Sequence, residues 1–321
     1  MARPLISVVI PVHKESMLTK LAINSALNQT LDRSVYEVIV VSNVNIPEMT
    51  GINILMSTDR WLGPKLADGV KAARGDIVAF LDYDDLFYPN KLARVVHHFS
   101  SNKDLVFYWN KQIFIDEYGA EIVPKGRGNS FRRRLINLSA VEVGELKTYK
   151  LIRMAGFNAS SISIKKEVIA RYTAKLQEVR ISSDSPLMIA AVLNGGDALI
   201  DDEPLTKWRA HPYATDPEMY KAYMHDYTMF MHWLGEQGNN AISKYLKNYY
   251  KYLYARSELH HQLYVKTRNK VRATRALLDC IRYGGGAMDS SMALAVWALT
   301  FLDLPASLRI YWKLGGGRPL V

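Results

Sequence analysis

Ile77-Val78-Ala79-Phe80-Leu81-Asp82-Tyr83-Asp84-Asp85 decides how this chain is read. An unbroken apolar run stops at three carboxylates within four positions. A continuous run, as opposed to an alternating one, is the pattern of a strand buried on both faces in a parallel sheet. Ligands of open α/β sheets collect at the carboxyl ends of such strands. Acids crowded there repel one another and lose hydration, a cost that a cation among them offsets. The expected cation is hard and divalent, Mg2+ or Mn2+, held by one or two carboxylates together with substrate phosphates. A second reading stands beside it. Asp84 or Asp85 caps a helix running through Pro89 and Lys91-Leu92, where an acid suits the helix dipole.

Toward the N-terminus, strand and helix alternate. Leu5–Val12 reads as a first strand, and Leu18, Leu21, Ala22, Ser25 and Ala26 are spaced for one face of a helix ending near Gln29-Thr30. Glu37-Val38-Ile39-Val40-Val41 is a second strand, stopping at Ser42-Asn43, and Ile52–Met56 a third. Leu66, Val70 and Ala73 mark a helix from Gly63 to Arg74, closed by Gly75-Asp76. This rhythm predicts a doubly wound, mostly parallel central sheet with right-handed crossovers.

Toward the C-terminus, a helix is expected over Pro89–Phe99 and a strand over Asp104–Tyr108. A hairpin is expected from Ile113–Ile115 and Glu121–Val123 around Glu117-Tyr118-Gly119. The basic stretch Lys125–Ser130 and Arg132-Arg133-Arg134 reads as a surface loop, either a solvated charge run or an anion-binding lid. Ser160–Ile164 is a strand and Lys165–Arg171 a short helix. Asp184 stands before the helical Pro186–Leu193, which Gly195-Gly196 closes, so a cap is its plainest role. Ala198–Ile200 and Lys207–Ala210 are short strands leading to His211. From about Pro217 the pattern turns helical, with tyrosines 245, 249, 250, 252, 254 and 264 among lysines 244, 247, 251 and 266. A helical cap packed on itself and a basic, aromatic face lying on a membrane both fit that composition.

The 321 residues suffice for a large core, 49% of them are hydrophobic, and Cys280 alone excludes an intramolecular disulfide or a multi-thiolate zinc site. One cysteine suits a reducing, cytoplasmic setting. The first apolar run is too short for a membrane span, and His13-Lys14-Glu15 follows it in place of a small-residue cleavage site, so it reads as strand and not as signal peptide. The net charge of +10 asks for an anionic partner. No nucleic-acid-binding signature is present, which leaves a phosphorylated substrate or an anionic membrane surface.

In order along residues 5 to 215, the chain resembles family-two inverting glycosyltransferases of the GT-A fold. Ser7-Val8-Val9-Ile10-Pro11 resembles the family's opening strand, Ser25-Ala26-Leu27-Asn28-Gln29-Thr30 its first-helix signature, and Glu37–Val41 its second strand. Gly75–Asp85 is similar to its DxD block, and Trp208-Arg209-Ala210-His211 to its aromatic-Arg-x-His element. Departures are visible. His13-Lys14 replaces a Tyr-Asn pair, Ser42-Asn43 stands where acids usually meet the base, and Ser183-Asp184 replaces Glu-Asp. An amide still bonds a base edge as donor and acceptor, which leaves the donor base open.

The resemblance implies a GT-A catalytic domain over 1–215, a helical region over 216–321, and transfer of a sugar from a UDP-, GDP- or dTDP-linked donor to an acceptor hydroxyl. It implies Asp84 as leading metal ligand, Asp82 toward ribose and metal, Asp85 nearby, and His211 completing the site unless that histidine is structural. Asp184 becomes the candidate general base beside its capping role. Pro11, His13, Glu15, Tyr83 and Arg209 border the nucleotide sugar and Ser42 and Asn43 the base; Asp68 lines the pocket or is a solvated helix acid. The tail hints at a lipid-linked acceptor and at peripheral contact with the inner face of a membrane; oligomeric state is left open. A sugar-phosphate nucleotidyltransferase would want a glycine-rich loop after the first strand, where Pro11–Glu15 has no glycine. A phosphatase with an aspartyl nucleophile would want its acids there too. A non-catalytic nucleotide-sugar binder at a membrane is the rival from another class, and Asp82, Asp84 and Asp184 argue against such decay.

Overall fold

The computed structural model describes residues 3–122, 131–140, 146–210, 217–238, 240–264, 268–284, 287–302 and 306. The chain divides into two compact units, Met1–His211 and Pro212–Val321. The first contains β1 (Ile6–Val12), α1 (Met17–Leu27), β2 (Tyr36–Ser42), β3 (Asn53–Met56), α2 (Leu62–Ala72), β4 (Ile77–Phe80), β5 (Leu86–Phe87), α3 (Lys91–Ser101) and β6 (Leu105–Ile115). There follow β7 (Glu121–Ile122), β8 (Arg134–Asn137), α4 (Leu146–Ala155), β9 (Ile162–Lys165), α5 (Lys166–Ala170), α6 (Thr173–Glu178), α7 (Ser185–Asn194) and β10 (Asp197–Arg209).

The sheet is ordered β3-β2-β1-β4-β9-β6-β10-β5. β1 is parallel to β2 and β4, and β2 to β3. β9 is antiparallel to both β4 and β6, so β6 regains the direction of β4, and β10 runs parallel to β6. Only β9 and β5 oppose the common direction on this path, and the mostly parallel sheet expected from the alternating pattern is present. Every residue of β1 and of β2 is buried, as the apolar runs Val8–Val12 and Val38–Val41 within them require, and the polar Ser7, Glu37 and Ser42 are buried with them.

Two expected breaks are absent. The strand at Asp104–Tyr108 and the strand at Ile113–Ile115 are one, β6, and β10 likewise joins Ala198–Ile200 to Lys207–Arg209. Polar Asn110 and Gln112 look like a strand end in the sequence. In the fold both are buried, and their side chains bond Thr206, Asn158 and Ser161. β10 takes up Pro204 at register shifts between Asp201 and Thr206. Val123, the stretch 125–130, His211 and Ile310–Lys313 lie outside the described residues.

The second unit holds α8 (Pro217–Gln237), α9 (Ala241–Tyr264), α10 (Lys270–Tyr283) and α11 (Ala287–Leu299). Tyr252, Leu259 and Leu263 of α9 pack with Ala273, Leu277 and Cys280 of α10 and Val296 of α11. Tyr250 is buried as well, so part of the tyrosine-rich stretch is core, whereas Tyr254 is exposed. Among the described residues no helix is long and apolar enough to cross a membrane.

Candidate active site

Register places the predicted residues at one edge of the sheet. Val12 at the end of β1 lies opposite Ser42 at the end of β2, and Val9 opposite Phe80 at the end of β4. The residues that follow, His13, Asn43 and Asp82–Asp85, therefore emerge from the same carboxyl edge.

The acidic turn is held by its backbone. Asp82 N donates to Ser160 Oγ at 2.9 Å, and Asp85 N donates to Asp82 O at 3.2 Å. Asp84 is 6% and Asp85 1% exposed. Asp85 Oδ1 accepts Arg209 N at 2.8 Å, but its buried Oδ2 has no partner among the described residues. Burial, and then the Asp84 charge, push the Asp85 carboxyl well above the ordinary carboxylate range. The capping alternative does not hold for this turn. α3 begins only at Lys91 with Asn90 as its cap, and β5 lies between it and the acids.

The segment after the acids is clasped by α1 and the turn that follows it. Phe87 N donates to Ser25 Oγ at 3.1 Å, Gln29 Nε2 to Tyr88 O at 3.1 Å, Leu92 N to Gln29 Oε1 at 3.0 Å and Thr30 N to Pro89 O at 2.7 Å. The Ser25–Thr30 signature is thus a bracket for the chain leaving the site. Lys91, fully buried below it, donates to Ser160 O and to Thr206 Oγ1, and lies 4.1 Å from the Phe87 ring centroid. Burial holds its ammonium well below the ordinary lysine range, against the pull of Asp85.

His13 is exposed, with its ring edge-on to half-buried Tyr83 at 4.5 Å between centroids. Desolvation, then the Lys65 charge, lower the imidazole, while Asp84 pulls the other way. Burial and Asp84 raise the Tyr83 phenol. Pro11 is buried and Glu15 exposed. Ser42 closes a turn, its Oγ accepting Val44 N at 3.1 Å and donating to Val44 O at 2.7 Å. Asn43 Oδ1 is buried without a partner among the described residues. Asp68 is half-buried on α2 and pairs with Lys71 at 3.8 Å. Its neighbour Lys65 is buried, bonds Asp59 O at 2.8 Å and Trp61 O at 3.2 Å, and is lowered to about 8 by burial.

Arg209 ends β10. It is 3% exposed, and its guanidinium donates to the main-chain carbonyls of Asp84 at 2.9 Å, Asp116 at 2.6 Å and Glu117 at 2.9 Å. It braces the acidic turn against the turn between β6 and β7.

Asp184 caps α7 through Oδ1, which accepts Ser185 N at 2.7 Å, while Oδ2 accepts Asn158 N at 2.8 Å. Burial raises its carboxyl and these backbone donors oppose the rise. Part of its surface stays open. The preceding chain is fastened to α2, since Leu62 N donates to Arg180 O and Gly63 N to Val179 O. A Cβ on Gly63 would stand 2.1 Å from Leu176 O, so only glycine admits this approach.

Among the described residues no group of three or more His, Cys, Asp or Glu side chains is arranged to hold a metal ion. What the acidic turn offers is hard oxygen donors, with the unpartnered Asp85 Oδ2 beside Asp84. That set fits a Mg2+- or Mn2+-like ion completed by substrate phosphates. Sequence reasoning missed Lys65, Lys91, Ser160 and above all Asn158. The one available signal was Asn158-Ala159-Ser160 ahead of a strand, an Asx-turn pattern.

Residues 7–157 match the family model described as glycosyl transferase family 2. An uncharacterized glycosyltransferase of Rickettsia felis is 30% identical over 131 residues, 37% of this chain and 21% of that protein. Another, of Methanocaldococcus jannaschii, is 25% identical over 73% of this chain and 81% of its own length. The chain thus spans about a fifth of the Rickettsia felis protein's length. Among solved structures, residues 1–349 of S. aureus TarS superpose with a TM-score of 0.58 at 13% identity, covering 97% of this chain and 91% of that one. The same fragment solved with UDP-GlcNAc gives 0.53. Residues 7–157, which carry β2 to β8 and the acidic turn described above, are therefore a glycosyl transferase family 2 sequence on a GT-A fold.

Proposed function

We propose that this chain is an inverting glycosyltransferase moving a sugar from a nucleotide-diphosphate donor to an acceptor hydroxyl, assisted by Mg2+ or Mn2+. The observation that carries the reading is a pair of buried oxygens without hydrogen-bond partners among the described residues, Asp85 Oδ2 and Asn43 Oδ1, at the edge where a GT-A sheet ends. Both ask for groups that a metal-bound nucleotide brings. Asn43 and Ser42 border the base; Pro11, His13, Glu15 and Tyr83 border the nucleoside and sugar, and Asp68 the rim of the pocket. Asp84 leads the ligand set with Asp82, Asp85 lies beside them, and His211, outside the described residues, completes it. Arg209 serves the donor by bracing the acidic turn. A divalent ion held there would neutralise the charge gathering on the departing nucleoside diphosphate. Asp184, with both oxygens fixed by backbone N–H groups, takes the acceptor proton through its remaining lone pairs. Attack opposite the leaving group inverts the anomeric centre.

UDP is the first donor base to test, since S. aureus TarS was solved with UDP and with UDP-GlcNAc. UDP-, GDP- and dTDP-sugars with Mn2+ should give nucleotide diphosphate release for one base, abolished by EDTA. Asp184→Asn should lower transfer about 10²–10⁴-fold while keeping the thermal shift caused by the donor. Release insensitive to EDTA, or transfer undiminished in Asp184→Asn, overturns the metal or the base assignment in turn. For the acceptor we propose a lipid-linked molecule, met by peripheral contact with an anionic bilayer. On α10, Val271, Leu278 and Ile281 are exposed between exposed Arg272, Arg275 and Arg282. Co-sedimentation with phosphatidylglycerol vesicles but not phosphatidylcholine vesicles is expected, and equal recovery with both rejects the contact.

A further inference from the structure

Asn158 is the only non-glycine among the described residues with a positive φ, at +69°. It is 4% exposed and sits at the entry to the short 3-10 turn Ala159–Ser161 that precedes β9. Such a backbone is uncommon for a side-chain-bearing residue, and asparagine is among the types that tolerate it because its amide bonds locally. Every polar group of the residue is used to hold that conformation or to reach a neighbour, its carbonyl accepting Ser161 N at 3.0 Å. Its Oδ1 accepts Ser160 N at 3.0 Å. Its Nδ2 donates to Gln112 Oε1 at 2.9 Å and to Ser161 Oγ at 3.3 Å, and Ser161 Oγ in turn donates to Gln112 Oε1 at 3.0 Å. Its main-chain N–H, turned by the positive φ, donates to Asp184 Oδ2 at 2.8 Å.

Two residues on, the same turn holds the acids. Ser160 Oγ receives Asp82 N, and Ser160 O receives Lys91 Nζ and Thr206 Oγ1. Residues 158–161 therefore touch Asp184 at one end and the acidic turn at the other, and Gln112, in the middle of β6, anchors them to the sheet. All partners of the Asn158 side chain are buried, so the geometry is fixed by bonds that water does not contest.

We infer that Asn158 is a positioning residue for glycosyl transfer, setting where the Asp184 carboxylate stands relative to the donor held at Asp82–Asp85. This rests on the proposed role of Asp184 as base. The residue acts on the reaction through its N–H to Asp184, not by contact with donor or acceptor. It sets the spacing and aim of the base, and a misplacement of about 1 Å is enough to cost on the order of 10²-fold in rate.

Asn158→Gly is the sharpest variant, because glycine adopts φ +69° freely and keeps the N–H to Asp184 while removing all three side-chain bonds. Its kcat is expected to fall about 10–100-fold with the donor KM within about twofold of wild type. In the Asp184→Asn background the same substitution is expected to change kcat less than about twofold, since a residue that acts through Asp184 has nothing left to act through. Should Asn158→Gly not fold, Asn158→Asp, which retains the Oδ1 acceptor and tolerates the backbone, takes its place in the same cycle. Losses that multiply in the double variant, a donor KM rising in step with the fall in kcat, or an unchanged kcat each overturn the inference and leave the base assignment standing. Near-wild-type transfer by Asp184→Asn alone overturns the base assignment and this inference with it.

Discussion

Two buried carboxylates at opposite ends of the same strands behave in opposite ways. Glu37 lies near the start of β2, paired in register with Ser7 of β1; Asp85 lies just beyond the far end of β4. Glu37 is saturated. It accepts Ser7 Oγ at 2.7 Å and Arg74 N at 2.7 Å on Oε1, and Arg74 Nε at 2.8 Å on Oε2. Burial alone pushes its carboxyl up, but these donors together hold it below the ordinary range. Asp85 is as buried, has one oxygen without a partner, faces Asp84 and is pushed up. Asp201 repeats the saturated case, completely buried among Arg94, Arg133 and Tyr108 and held below its ordinary value despite burial. Burial therefore does not by itself decide whether a carboxyl of this fold is lowered or raised. The balance of donors does, and a carboxylate left short of donors inside a fold marks where a ligand is to supply them.

Asp85→Asn breaks the comparison at its functional end and carries the largest effect. The amide keeps the Oδ1 that accepts Arg209 N and removes a buried charge that Arg209 and Lys91 offset only in part. In EDTA the variant is expected to be more stable than wild type by roughly 1–3 kcal/mol at pH 8. The sign follows from linkage. A carboxyl raised in the folded state costs nothing below its ordinary value of 3.8, where both states are protonated; the cost grows as pH rises from there to the raised folded value and is constant above it, where both states are ionised. The gain should therefore vanish near pH 3. With Mn2+ and donor, transfer should drop by about 10²-fold or more. Thermal melts across pH, with and without Mn2+, check this, and a variant that loses stability in EDTA at pH 8 would make Asp85 another Glu37.

The sheet was legible because burial on both faces forces unbroken apolar runs, as in Val8-Val9-Ile10 and Val38–Val41, and because acids at the end of Ile77–Leu81 have few structural uses. The tethering of Asp184 to the turn that also receives Asp82 N was not. It depends on Asn158 N, on Gly63 meeting Leu176 and Val179, and on Val179 and Arg180 carbonyls capping α2, contacts between segments separated by 26 to more than 110 positions. Periodicity sees neighbours on one element; it does not see which distant carbonyl will satisfy a helix N-terminus. The same blindness explains Arg209. Its motif marks it as special, yet only the fold reveals that its guanidinium holds three main-chain carbonyls of the turns around the site. The break expected between Tyr108 and Ile113 is absent because polar Asn110 and Gln112, which lie in it, find partners in the core, and polarity in the sequence does not say whether a partner waits there.

Glu37→Gln sharpens the other end of the comparison with a smaller effect. Glutamine keeps an acceptor for Ser7 Oγ and Arg74 N but loses the charge that pairs with Arg74 Nε, whose side chain is 56% exposed. Solvent around Arg74 weakens the ionic share, so the expected destabilisation at pH 7 is about 1–2 kcal/mol, nearer that of a charged hydrogen bond than of a buried ion pair. The pH dependence runs opposite to that of Asp85→Asn. A carboxyl lowered in the folded state contributes its full stability above its ordinary value of 4.5 and loses it as pH falls through the lowered folded value, so variant and wild type should converge below about pH 3. Transfer per folded molecule should stay within about twofold, because Glu37 braces Arg74 and Gly75 at the entry to β4 while the acids emerge at its exit. Denaturant melts at pH 3 and 7 beside transfer assays separate the two carboxylates. Loss of transfer without loss of stability would show that saturation by donors fails to distinguish a scaffold acid from a catalytic-site acid in this fold.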